Sequence, residues 1–376
     1  MLMKYLYRLL CLFVCMHVHH TFAADSIASA CVGDLEEIAA FLPVNDSGAA
    51  AAIADHGAII DAALLRARAD ASQAGDKATC DVLLKTYLRT WRRGHLVLGN
   101  WPWKAGAPMS GSAAVPLSGR PATRAPAFQV LGKLTVLLRL GSFGERYQSA
   151  LETLLTVHRA ELLAHPYWII DVRNNDGGSD STYKALLPWL MDREYVSHNV
   201  KWLVTPANLQ AQEEICSTMS DAASCAASVE PVLQAMRGAA PASYVLARGE
   251  SAQQYIQPQK GEAHVPTLVA VLSGRGCASS CEEFLLTVRQ SARVKLLGSS
   301  SAGMLDYSNL RPHPLQSGQR AVFYATSRSA RLPAMPIDRS GVQPDIFLPR
   351  SDNDGGNDVE LSNAQRWLER RPLQQQ

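Results

Sequence analysis

Residues 276–283 read GCASSCEE, two serines framed by two cysteines and followed by two glutamates. The apolar run TLVAVLS precedes them, and EEFLLTVRQ, with apolar residues at helical spacing, follows. Ser279 and Ser280 therefore fall where a buried strand turns into a helix. Unpaired main-chain N–H groups and the positive end of a helix favour developing negative charge at that point. Ser279 is well placed there as a nucleophile towards a carbonyl carbon, with the Ser280 N–H as one half of an oxyanion hole. A second turn, NNDGG at 174–178, ends another apolar strand; Gly177 and Gly178 let the backbone come close to a substrate oxygen and turn an N–H inward, as the second half of the oxyanion hole. The same spacing also suits a plain helix cap, because serine is a favoured N-cap residue.

Those turns need a frame. PYWIIDVR (166–173), TLVAVLS (267–273) and RVKLLG (293–298) are short, nearly all apolar runs of the kind buried in parallel sheets. AFQVLGKLTVLLRLGSF (127–143) reads as a strand pair, AVFYATS (321–327) as a later strand, and GVQPDIFLP (341–349) and NAQRWLER (363–370) close the chain. Helices are expected over 146–163, over STYKALLPWLMD (181–192) and over CEEFLLTVRQ (281–290). Strand–turn–helix repeats of this kind make an α/β fold whose site lies at the carboxyl ends of the strands. Ahead of it, residues 24–98 form an alanine-rich helical subdomain. Its third helix is expected to start at an Asp76 N-cap and run to Gly94. Residues 99–127, dense in Gly, Pro and Ser, are a connector too irregular for an added folded module such as a PDZ domain. The core spans 128–350 with a helical insertion at 206–237, and 351–376 is a C-terminal helix and tail.

Four segments in order, YWIIDVRNNDGGS, VLSGRGCASSCEEF, KLLGSSSAG and GVQPDIFLP, resemble the tail-specific (C-terminal processing) serine peptidases. The similarity covers about residues 90–370 and is strongest to the tricorn-protease-like and interphotoreceptor-retinoid-binding-protein-like branch that lacks a PDZ domain. In that family the two site regions run roughly D-L-R-x-N-x-G-G and S-A-x-E. Matching Glu282 and Phe284 assigns the catalytic serine to Ser279 and the oxyanion-hole neighbour to Ser280. The resemblance implies a crotonase-like α/β core, a polypeptide substrate and a serine mechanism without cofactor or metal.

One position departs from the family. The processing peptidases carry a lysine 25 residues after the serine; here that residue is Met304, whose thioether takes no proton. Lys295 is the only lysine nearby. The tricorn-like branch instead uses a histidine in a G-x-H segment, which RRGHLVL resembles, and an acid just before G-V-x-P-D. That resemblance assigns His95 and Asp338. Neutral imidazole can accept the serine proton and return it to the leaving amine, while a carboxylate fixes its tautomer. His95 can also be read as a cap after the helix, and Asp338 as a turn residue. Asp171 and Arg173 are expected to brace their turn, and Asp345 to be structural. His56, His158, His165, His198, His264 and His313 lack a motif. The rival reading is a catalytically inactive homologue that binds polypeptide segments.

Composition adds the compartment. Lys4 and Arg8, the apolar run 9–18 and small residues near Ala23 have the layout of a secretory signal peptide over 1–23, too short to span a bilayer. Its removal lowers Lys+Arg from 36 to match the 34 acids. A neutral mature chain has no nucleic-acid footprint and no membrane partner after signal removal. The expected place is periplasmic or secreted; oligomeric state is not encoded in any motif. Six cysteines remain, an even number that suits disulfides in an oxidising compartment, and their spacing fits no zinc pattern. Cys31 with Cys80, Cys216 with Cys225, and Cys277 with Cys281 are the expected pairs.

Overall fold

Residues 27–102, 124–218, 222–258, 266–349 and 358–370 are described by a computed structural model. The signal segment 1–23 and His264 lie outside them. Described residues of Met1–Gly111, Trp202–Arg248 and Asn309–Ser327 form one compact unit; those of Ser112–Lys201, Gly249–Ser308 and Arg328–Gln376 form a second. Each unit is thus assembled from three chain segments rather than one consecutive block.

The first unit begins with three helices, α1 (27–45), α2 (Ala49–Ala71) and α3 (Lys77–Trp91). Asp76 caps α3 by accepting the Thr79 N–H at 2.7 Å. Cys80, Leu84, Tyr87, Leu88 and Trp91 form its buried stripe at helical spacing. Small buried residues of α2, Ala52, Ala63, Ala67 and Ala71, let the helices approach closely. Inside α2 the helical geometry breaks at His56, whose Nε2 lies 2.8 Å from the Thr90 carbonyl oxygen. Cys31 of α1 and Cys80 of α3 form the expected disulfide, with Cα atoms 5.8 Å apart. Cys216 and Cys225 form the second, in the helical segment after Pro206. The third helix stops at Trp91, short of the expected Gly94. Arg92 is extended, and its guanidinium binds Asp46 and the carbonyl oxygens of Gly94 and His95. Strand Val97–Asn100 then pairs antiparallel with residues 320–323.

The second unit is built on a six-stranded sheet. Its strands are β1 (Ala127–Val130), β2 (Thr135–Arg139), β3 (Tyr167–Asp171), β4 (Leu268–Ser273), β5 (Val294–Gly298) and β6 (Ile346–Phe347), in spatial order β6-β5-β4-β3-β2-β1. All neighbours run parallel except the β1–β2 hairpin. Alternate residues serve two cores, which is why the strands read as continuous apolar runs. Val136, Trp168, Ile170, Val269 and Val271 face one core; Leu137, Ile169, Ala270 and Leu272 face the other. The first is covered by Leu151 and Leu155 from helix Gln148–Val157 and by Phe284, Leu285 and Val288 of α4 (Ser280–Val288). The second is closed by Ala364 and Leu368 of α5 (Val359–Leu368).

Two expected helices are interrupted. The 146–163 helix breaks at His158, and residues 180–190 form three short helical pieces. Arg173 ties the end of β3 to α5: it donates to both Asp171 oxygens at 2.9 and 2.7 Å, to Asp358 at 2.8 and 3.0 Å, and to Glu360 at 2.6 Å. It is 3% exposed, so a guanidinium placed there needs those carboxylates. The bracing role read for Asp171 and Arg173 is the one they have.

The Cys31–Cys80 link restrains the unfolded chain over a separation of 49 residues. Replacing both cysteines by alanine is expected to lower stability by about 2–4 kcal/mol in chemical denaturation. An unchanged midpoint would show that helix packing alone holds α1 to α3.

Candidate active site

Ser279 stands between β4 and α4 with φ 59° and ψ −125°. A left-handed φ at a residue bearing a side chain costs about 1–3 kcal/mol and persists only where its surroundings over-determine it. Here they do. The third disulfide, Cys277–Cys281, brackets the residue with Cα atoms 5.3 Å apart, and both cysteines are fully buried. The Ala278 N–H donates to the Asn175 carbonyl at 3.1 Å, and the Ala302 N–H donates to the Cys277 carbonyl at 2.8 Å. Ser279 remains partly accessible while Ser280 is buried.

The NNDGG turn lies against this one because β3 and β4 are parallel neighbours, so both turns leave the sheet at the same edge. A Cβ on Gly177 would come within 2.6 Å of the Ala278 carbonyl oxygen and 2.9 Å of the Ser279 Cβ. A Cβ on Gly178 would lie 2.3 Å from the Phe143 carbonyl oxygen. Their φ values of 95° and 142° also demand glycine. The Gly177 N–H donates to Asn175 Oδ1 at 2.9 Å. Gly177, expected beside Gly178 as an oxyanion donor, therefore supplies room rather than a hydrogen bond. The Ser179 N–H is likewise used, donating to the Phe143 carbonyl at 2.8 Å. Among the described residues, neither the Gly178 N–H nor the Ser280 N–H has an acceptor.

Glu282 is the residue that locks the turn, a role the sequence reading left unassigned. Its carboxylate is fully buried. Oε1 accepts the Ser301 hydroxyl at 2.6 Å and the Gly303 N–H at 2.7 Å; Oε2 accepts the Met304 N–H at 2.8 Å and the Ser279 N–H at 3.1 Å. In return the Glu282 N–H donates to the Ser279 main-chain carbonyl at 2.7 Å. Burial raises the Glu282 carboxyl pKa, and the four donors oppose that rise. Met304, at the family's lysine position, thus has its backbone fixed by this carboxylate. Lys295 lies exposed on β5.

Asp338 belongs to a reciprocal pair. Its Oδ1 accepts the N–H groups of Leu305 and Asp306 at 2.9 and 2.8 Å, and Asp306 Oδ2 accepts those of Ile337 and Asp338 at 2.9 and 2.8 Å. The carboxylate so anchored sits on the loop that follows Met304. Asp345, by contrast, is tied to the middle of β5, its carboxylate accepting the Leu296 N–H and its own N–H donating to the Leu296 carbonyl, both at 2.8 Å, the structural role expected of it.

His95 lies in the first unit, while Ser279 and Asp338 lie in the second. Gly94 and His95 are consecutive left-handed residues, φ 70° and 49°. Arg92 holds that turn, donating to the Gly94 and His95 carbonyls at 2.7 and 3.0 Å. His95 and Ser279 are two of the few non-glycine residues with positive φ, a conformation that clusters at functional sites.

A family model described as peptidase family S41 matches residues 135–348, which include Ser279, the Gly177–Gly178 turn and Asp338 but not His95. The match covers more than half of the sequence, and the chain belongs to peptidase family S41, a family of serine-type peptidases. Among solved structures, mature CPAF complexed with lactacystin aligns at 12% identity and TM-score 0.60, covering 92% of this chain and 97% of that one. A putative peptidase from Parabacteroides merdae aligns at 15% identity and TM-score 0.52, covering 82% and 88%. At these identities the likeness concerns the fold. No curated protein matches the sequence.

Glu283, one turn into α4, has its carboxyl pKa raised to about 7 by burial and by the charge of Asp180, against a lowering by Arg331. Its folded-state pKa lies above the unfolded one, so the folded state binds the extra proton between about pH 4.5 and 7 and stability falls as pH rises through that window. Glu283→Gln should therefore leave stability unchanged at pH 4 and raise it at pH 8 by roughly 1–3 kcal/mol. Urea midpoints at the two pH values test this; equal effects at both would show that Glu283 carries no such cost.

Proposed function

We propose that this chain is an exported peptidase that hydrolyses peptide bonds by acyl transfer through Ser279, with a crotonase-like core presenting the site. The Ser279 Oγ attacks the scissile carbonyl as His95 takes its proton. The Gly178 and Ser280 N–H groups hold the oxyanion, and His95 returns the proton to the leaving amine. Water then attacks the acyl-enzyme carbonyl, giving its proton to His95, which passes it to the departing Ser279 Oγ as the acyl C–O bond breaks and the acid product leaves. Asp338 holds His95 in the tautomer that accepts at the nitrogen facing serine. The observation that carries the reading is Ser279 in a strained left-handed turn, at the start of a helix and beside two unengaged N–H groups. Three disulfides and the leader-like residues 1–23 support export. Among the described residues no helix is long and apolar enough to cross a membrane.

Met304 in place of the family lysine favours the second reading, a member that has lost catalysis and only binds polypeptide segments. An alkyl fluorophosphonate separates the two. Covalent labelling at Ser279, abolished by Ser279→Ala and lowered by about 10⁴–10⁶-fold in His95→Ala, supports the peptidase. Met304→Ala should keep much of the activity. A folded protein that does not label favours the binder, and full labelling of His95→Ala would point to another base.

A further inference from the structure

The oxyanion-hole donors stand on two different turns, Gly178 after β3 and Ser280 after β4. For both to meet one oxygen atom, the turns must be held to each other near those amides. The Cys277–Cys281 link and Glu282 fix the second turn from its far side, but neither reaches Gly178. The Ser280 side chain does. Its hydroxyl lies 2.5 Å from Asp180 Oδ1 and 3.2 Å from the Gly178 carbonyl oxygen.

We propose that Asp180 is a positioning residue of the oxyanion hole, acting through the Ser280 hydroxyl. Ser280 has one hydroxyl proton, and the shorter contact assigns it to Asp180, a bond of the charge-assisted O–H···O⁻ length. Asp180 opens the short helix Asp180–Tyr183, directly after the glycine turn, so its carboxylate moves with Gly178. Tyr183 steadies the same helix: it is 4% exposed and packs its ring on Phe143 and Phe284. The Phe143 backbone in turn pairs with Gly178, through the Phe143 N–H to Gly177 and the Ser179 N–H to Phe143. The main chains of the two turns are joined by the Ala278 N–H to the Asn175 carbonyl, and the Asp180–Ser280 bond adds a side-chain link beside the two amides themselves. Surrounding protein raises the Asp180 carboxyl pKa, while the Ser280 hydroxyl and Lys184 favour its ionised form. This role rests on Ser279 being the nucleophile.

The test uses the whole protein and the rate of inactivation by an alkyl fluorophosphonate, resolved into the maximal rate and the half-saturating probe concentration. Complete loss of one oxyanion donor costs about 10²–10³-fold. A donor left in place but untethered should cost less, so Asp180→Ala is expected to slow the maximal rate by about tenfold with half-saturation unchanged. Asp180→Asn, whose amide oxygen still accepts the hydroxyl, should recover most of the rate. Ser280→Ala should match Asp180→Ala, and the double variant should be no slower than either. Wild-type rates in Asp180→Ala, or additive losses in the double variant, would overturn the proposal. So would a loss that Asp180→Asn shares and that follows a drop in melting temperature. If the wild-type protein itself does not label, the Ser279 reading fails and this one with it; labelling of wild type with no effect of Asp180→Ala removes only the positioning role.

Discussion

The Glu282 carboxylate receives four hydrogen bonds inside the protein, two on each oxygen, from Ser279, Ser301, Gly303 and Met304. All four partners are donors. Only an ionised carboxylate satisfies them, since an amide in either orientation would set its NH₂ against two of them. Placing a charge in so dry a position is costly, and charge-assisted bonds of this number are what offset it. The consequence is geometric. The turn carrying Ser279 and the loop after β5 cannot shift independently. Ser301 extends the connection, because its oxygen also accepts the Val342 N–H at 2.6 Å, drawing in the segment that carries Asp338.

Around that anchor the site is made from main chain more than from side chains. Two parallel strands end side by side, and each releases a turn in which backbone amides are accounted for one at a time. Asn175 uses the Gly177 N–H, Phe143 uses the Ser179 N–H, and the amides of Gly178 and Ser280 remain. Glycine at 177 and 178 is required by close approach as much as by dihedral angle. Strain at Ser279 is tolerated because a disulfide, a buried carboxylate and a neighbouring turn all hold the same few residues. Arg173 performs the matching task at the base of the glycine turn, joining it to α5. A serine peptidase needs this preorganisation, because donors already aimed at the oxyanion need no rearrangement during reaction.

Much of this was legible in the sequence where the signal is local. The apolar runs at 167–171, 268–273 and 294–298 announced buried parallel strands, and the turns after two of them carry the residues read as the site. The paired cysteines followed from an even count, spacing and compartment. What escaped was what depends on contacts distant in sequence. Nothing in CEEF distinguishes a solvent-facing glutamate from one enclosed by residues 301–304. The Gly177 amide looked available until the Asn175 side chain, two residues earlier, was seen to take it. The end of α3 at Trp91 rather than Gly94 is set by Arg92 reaching to Asp46, 46 residues away. The division into two units drawn from three segments each is likewise invisible to a reading that proceeds along the chain.

A buried, ionised Glu282 holds the Ser279 turn and the 301–304 loop in one frame. Amide hydrogen exchange in Glu282→Gln measures that directly. The amide of Gly303 or of Met304, whichever meets the new NH₂ group, should lose protection by about 10–100-fold, as expected when a bond to a charged acceptor is lost, while the amides of β4 keep theirs. Unchanged exchange at Gly303 and Met304 in a folded Glu282→Gln protein would contradict it.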